Sequence, residues 1–141
     1  MILDGAHNPQ KARSLAHALH TLYPDQAYTL IFGMLGTKDA ENSLAHLLPQ
    51  ARRVAVTQPH VEGKRVTQPD ELANVIGGMG YDGALEVYPG VMDALDEVLK
   101  DAAPDDKIVI TGSLYMIGEA RGHWVSPQRL LIKAEQGLRY L

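Results

Sequence analysis

The chain contains no cysteine, which excludes disulfide staples, thiolate nucleophiles and Cys-ligated metals. That fits a reducing compartment, and the cytoplasm is the expected location. Basic excess is also missing: 13 Lys and Arg stand against 17 Asp and Glu, a net charge of -4. Charges are spread along the chain rather than gathered in blocks, so neither a nucleic-acid footprint nor a polybasic membrane patch is expected. No apolar run approaches membrane-spanning length, and the opening Met1-Ile2-Leu3-Asp4 carries neither a charged leader nor an apolar signal core. Repeats, low-complexity tracts and internal linkers are absent too. What remains is a 141-residue chain with 45% hydrophobic residues, enough for one ordinary globular domain and too little for a multidomain enzyme.

Short aliphatic and β-branched runs alternate with segments of helical period, the pattern of a mostly parallel α/β sheet with flanking helices. Strands are expected at Ile2–Asp4, Tyr28–Phe32, Val54–Thr57, Leu85–Tyr88 and Lys107–Thr111. Asn8 and Pro9 offer an N-cap and a first helical residue, followed by the stripe Ala12, Leu15, Leu19 and Leu22. Asp39 is placed to cap a helix with Leu44, Leu47 and Leu48 inward and Pro49 at its close. Thr67 and Pro69 open another, with Leu72, Val75, Ile76 and Met79, ended by the Gly77, Gly78 and Gly80 cluster. Val91, Leu95, Val98 and Leu99 mark a fourth, and a short helix runs from the Gly112-Ser113 turn to Ala120. Ser126-Pro127 then starts a segment whose Leu130, Ala134, Leu138 and Leu141 share a face, either a docked terminal helix or a helix crossing a partner's.

In parallel sheets ligands bind where strands end and helices begin, and polar residues crowd three such places. In Asp4-Gly5-Ala6-His7-Asn8-Pro9 the carboxylate can bond a hydroxyl or orient a cation. The small residues admit a ligand to the backbone, and the helix start offers free N–H groups. A plain strand-turn-helix with a capping Asn and a surface His fits equally well. In Gly33-Met34-Leu35-Gly36-Thr37-Lys38-Asp39 the lysine can hold a carboxylate or phosphate, or it can be solvated beside a capping Asp. The GxxxxGK[ST] spacing of a P-loop is missing. In Thr111-Gly112-Ser113-Leu114-Tyr115-Met116 the serine can present its hydroxyl to an anion, or act only as an N-cap with Tyr115 packing. No base is paired with Ser113, so it is not read as a nucleophile.

Taken together, ILDGAHNP, IFGMLGTKD and ITGSLYMIGEAR, with the Thr57-Gln58-Pro59 turn between them, resemble in order and spacing the C-terminal domain of folylpolyglutamate synthases and dihydrofolate synthases, members of the Mur ligase superfamily. The likeness spans residues 1–122, leaving 123–141 as a C-terminal helical extension. It implies a Rossmann-like fold of the Mur ligase C-terminal type and an ATP-dependent ligation of L-glutamate to dihydropteroate or folate. It further implies that Asp4, His7 and Asn8 face the nucleotide, with His7 nearest the reacting centre. Lys38 and Ser113 would hold glutamate, with Tyr115 and Arg121 as pocket wall and second anion contact. The cofactors implied are ATP and Mg²⁺, with most magnesium ligands and the P-loop on an N-terminal ATPase domain of the same polypeptide. With no Walker A lysine in these residues, the chain by itself is expected not to ligate. A cell-wall Mur ligase domain and a non-catalytic nucleotide-binding or interaction module are the alternatives.

Other residues invite less. His17 and His20 share a helix face with Arg13, but no carboxylate sits at ligand spacing, and a solvated face rather than zinc is expected. His46, His60 and His123 stand apart from any motif. Trp124 is expected to pack on the domain, and Met34, Met79, Met92 and Met116 to fill the core.

Overall fold

A computed structural model of the chain describes residues 1–36 and 38–126. The helix expected after Ser126, with its Leu130, Ala134, Leu138 and Leu141 stripe, lies, like Thr37, outside the described residues. The elements run β1 (Ile2–Leu3), α1 (Pro9–Leu22), β2 (Tyr28–Phe32), α2 (Ala40–Leu47), β3 (Ala51–Val56), α3 (Pro69–Gly78), β4 (Ala84–Val87), α4 (Val91–Asp101), β5 (Lys107–Thr111) and α5 (Leu114–Arg121). A 3-10 turn at Leu48–Gln50 joins α2 to β3.

The five strands form one sheet in the order β1-β5-β2-β3-β4, every pair parallel. Every residue of β2 is buried, as a strand covered on both faces must be. Side chains alternate along it. Leu30 and Phe32 join Val54, Val56 and Val109 under Leu15, Leu19, Leu44, Leu47, Leu72 and Ile76, the inner faces of α1, α2 and α3. Ile31, Ala55, Ile108 and Ile110 face the other way, under Val91, Leu95, Val98 and Met116 from α4 and α5. The molecule is therefore three-layered. The chain leaves β1 and β2 toward one layer and β5, which lies between them, toward the other, and this parts the loops at their carboxyl ends.

Local chemistry accounts for the boundaries. Asn8 accepts from the Lys11 N–H at 2.9 Å and Pro9 occupies the first turn of α1. Asp39 accepts from the Asn42 N–H at 3.1 Å to start α2. At the other end of the sheet, Arg53 is bidentate to Glu86 at 2.7 and 3.1 Å, which ties β3 to β4. Tyr28 donates its hydroxyl to the Leu47 carbonyl, and burial pushes that phenol well above its ordinary pKa.

Some expectations need correction. β3 starts at Ala51 rather than Val54, because Arg52 and Arg53 are strand residues whose charges meet Asp106 and Glu86. Leu22, in the last turn of α1, is 68% exposed and does not join the inward stripe. Met34 and Met116 are core residues, but Met92 is exposed on α4. Trp124 is 45% exposed, with His123 edge-on at 4.9 Å as its ring neighbour. His60 does not stand apart: Glu119 of α5 takes both its backbone N–H and a ring contact.

Candidate anion-binding site at the strand mouths

The loop after β1 is braced from within. Asp4 accepts the Ala6 N–H at 2.8 Å, and its own N–H bonds the Ile110 carbonyl at 3.1 Å. His7 Nδ1 lies 2.8 Å from the Gly5 carbonyl, and since a carbonyl only accepts, Nδ1 is the donor and Nε2 is left available. The Ala6 carbonyl receives the Gly112 N–H at 3.0 Å and the Thr111 hydroxyl at 3.3 Å, which joins the mouth of β1 to that of β5.

Glycine makes the junction with β2 possible. Gly112 has φ +111, and a Cβ there would stand 2.2 Å from the Gly33 carbonyl oxygen. A Cβ on Gly33 would in turn come within 2.7 Å of Met116 Sδ and 2.8 Å of the Thr57 carbonyl oxygen. The ends of β2, β3 and β5 therefore touch backbone to backbone.

The loops after β2 and β3 are also joined. Leu35 and Val66 form an isolated antiparallel bridge, with Gly36 N–H to the Arg65 carbonyl and Thr67 N–H to the Met34 carbonyl, both 2.9 Å. This clip carries Lys64 to the side of the loop that holds Lys38. Lys64 Nζ sits 5.0 Å from the centroid of the Tyr115 ring, across the mouth of β5. Ser113 is only 3% exposed, and its oxygen accepts the Tyr115 N–H at 3.1 Å, which leaves the hydroxyl proton to donate.

These connections enclose a cavity of about 240 Å³ lined by His7, Leu35, Lys38, Lys64, Gly112, Ser113, Leu114 and Tyr115. An adjoining cleft of about 450 Å³ has Asp4, Gly5, Ala6, His7 and Lys11 on its wall, and His7 and Leu114 are common to both. Of the residues singled out in the sequence, His7, Lys38, Ser113 and Tyr115 meet in one cavity and Asp4 faces the next. Asn8 lines neither, and its side-chain oxygen is taken up by capping. Arg121 lies at the far end of α5, exposed and away from both. Lys64 is the residue that sequence reasoning missed.

A larger groove, about 580 Å³, lies at the opposite end of the molecule among His20, His46, Gln50 and Arg52. The C-terminal turns of α1 and α2 line it, and that end of a helix dipole disfavours anions. Among the described residues the smaller cavity has two lysines, a buried serine and the start of α5, and no Asp or Glu on its wall. It is suited to a carboxylate or phosphate.

A family model described as the dihydrofolate synthetase C-terminal domain matches residues 1–122. The chain belongs to that family. The chain is similar over 124 residues, at 32% identity, to a probable bifunctional folylpolyglutamate synthase/dihydropteroate synthase of Haloferax volcanii, covering 88% of this chain and 14% of that protein. It is 34% identical over 123 residues to the folylpolyglutamate synthase of Lacticaseibacillus casei, covering 86% and 26%. The solved folylpolyglutamate synthase of Mycobacterium tuberculosis, complexed with ADP, superposes with a TM-score of 0.74 at 31% identity, over 85% of this chain and 28% of that one. A bifunctional folylpolyglutamate synthase/dihydrofolate synthase of Yersinia pestis, complexed with AMPPNP and Mn ion, does so at 0.71 and 25% identity, over 86% and 28%. The chain thus spans well under a third of the relatives it matches, and over that span the α/β architecture is theirs.

Proposed function

We propose that this chain is the amino-acid-binding part of an ATP-dependent ligase that joins L-glutamate to dihydropteroate or folate in the cytoplasm, and that it closes over the nucleotide. The observation that supports this most is the meeting of His7, Lys38, Ser113 and Tyr115, drawn from the mouths of three strands, in one cavity that has no carboxylate among the described residues. The family and its relatives supply the reaction class.

In this reading a carboxylate of the folate attacks the γ-phosphate of ATP, giving an acyl phosphate and ADP. The glutamate amine then attacks that carbonyl, and inorganic phosphate leaves. Lys38 and the Ser113 hydroxyl hold a glutamate carboxylate, with the first N–H groups of α5 behind them. His7 stands on the wall between the two recesses, its Nε2 available to the reacting phosphate, while Asp4 faces the nucleotide in the adjoining cleft. Positioning and fixed dipoles do most of the catalytic work in such a reaction. Closure of this domain onto a partner domain completes the site and excludes water.

Among the described residues no three His, Asp or Glu side chains gather as metal ligands, and no step here runs through the ion. The nucleotide-binding P-loop and most of the metal ligands are assigned to an N-terminal domain of the same polypeptide, and residues 123–141 to an extension beyond the family domain. Arg121 and Asn8 are assigned supporting roles only, at the end of α5 and the cap of α1. Translating the gene upstream of Met1 tests the assembly: a GxxxxGK[ST] sequence in frame is expected, and a natural start at Met1 would favour a non-catalytic module. In the ligase carrying this domain, Lys38→Ala should raise KM for glutamate far more than KM for ATP. Equal effects on the two would remove Lys38 from the glutamate site, and activity on a muropeptide precursor in place of folate would move the enzyme to the cell-wall branch.

A further inference from the structure

Resting on the amino-acid site just described, we propose that Lys64 is its specificity residue, gripping a second carboxylate while Lys38 and Ser113 hold the first. Among the described residues the cavity wall carries two ammonium groups and no acid, in a chain whose acidic residues outnumber its basic ones 17 to 13. Among the described residues no carboxylate pairs with either Lys38 or Lys64. Two uncompensated cations at one recess repel each other unless anions stand between them, and a ligand with two carboxylates removes that cost.

Lys64 is also held in place. The Leu35–Val66 bridge fixes the backbone on which it rides against the Lys38 loop, and the Tyr115 ring lies under its ammonium. A cation held over an aromatic face keeps its N–H donors for a further partner. The two lysines come from the loops after different strands, β2 and β3, and so reach the cavity from different points on its rim. Such a pair distinguishes an amino acid with an acidic side chain from its amide. A monocarboxylate needs only one of them.

The test is binding by the 141-residue chain, followed by NMR chemical-shift titration with L-glutamate and, separately, L-glutamine. The wild type should bind glutamate about tenfold more tightly than glutamine, the worth of one hydrogen bond between charged groups. Lys64→Gln should bring that ratio close to one and leave the glutamine Kd unchanged, whereas Lys64→Arg should keep the preference. A simple brace on Tyr115 would weaken both ligands together, and that result, or an undiminished preference in Lys64→Gln, overturns the proposal. So does a wild type that binds both ligands equally, with the amino-acid site itself intact. If neither ligand shifts the resonances of the cavity residues in the wild type, the amino-acid site fails and this inference goes with it. Lys64 is exposed, so its variants should fold, and a dispersed spectrum verifies this.

Discussion

Replacing Gly112 by alanine tests whether the mouths of β1, β2 and β5 are built as described. The residue has φ +111, a conformation that side chains rarely adopt, and holding a non-glycine residue there costs on the order of 1–3 kcal/mol. The new Cβ would also stand 2.2 Å from the Gly33 carbonyl oxygen, and that oxygen is backbone at the end of a fully buried strand and cannot swing aside. Forcing such a contact open costs roughly a further 1–3 kcal/mol. A total of about 3 kcal/mol is a large part of the roughly 5–15 kcal/mol that holds a domain together. With a urea slope near 2 kcal/mol per molar, the midpoint should fall by about 1.5 M. Urea unfolding followed by circular dichroism measures it. Gly118→Ala is the control: it lies inside α5 with nothing within 4 Å of its Cβ position, and it should be neutral or up to about 1 kcal/mol stabilising. A Gly112→Ala protein within about 0.5 kcal/mol of wild type would refute the backbone-to-backbone junction.

Two further perturbations probe the core and the second loop. Phe32 is fully buried at the end of β2, and Phe32→Ala should cost about 3–5 kcal/mol in denaturant unfolding; a loss under about 1.5 kcal/mol would mean that the layer between the sheet and α1–α3 is looser than described. The Asn42 side-chain amide, and after it the Asn42 N–H, hold the Asp39 carboxyl below its ordinary pKa. The unfolded chain therefore takes up this proton first on acidification. The contribution of Asp39 is whole above the ordinary carboxylate value and is lost as pH falls through the lowered one. Asn also caps helices, so Asp39→Asn should fold and show a shallower acid-side loss of urea midpoint, and an unchanged slope would remove Asp39 from that titration.

Most of the architecture was legible because it is written locally. The strands at Tyr28–Phe32 and Lys107–Thr111 are short runs dominated by aromatic, β-branched and aliphatic residues, and α1 and α2 announce themselves through Asn8, Pro9 and Asp39. Where charge enters a strand the pattern fails, as at Arg52 and Arg53, whose partners Asp106 and Glu86 lie far along the chain. The site follows the same rule. His7, Lys38, Ser113 and Tyr115 stand in recognisable strand-end motifs and do meet. Lys64 sits in a polar stretch without period or motif, and only the Leu35–Val66 bridge brings it to the cavity. The His60–Glu119 contact, spanning 59 residues, is invisible for the same reason.

The proposed function rests on one recess between the loops of three strands taking an amino acid's carboxylate. A crystal structure of the chain grown with L-glutamate tests this most directly. The amino acid should lie in the cavity, one carboxylate within hydrogen-bond reach of both Lys38 Nζ and the Ser113 hydroxyl. A cavity closed by Leu114 and Tyr115, or glutamate seated in the groove beside His20 and His46 instead, would contradict the account.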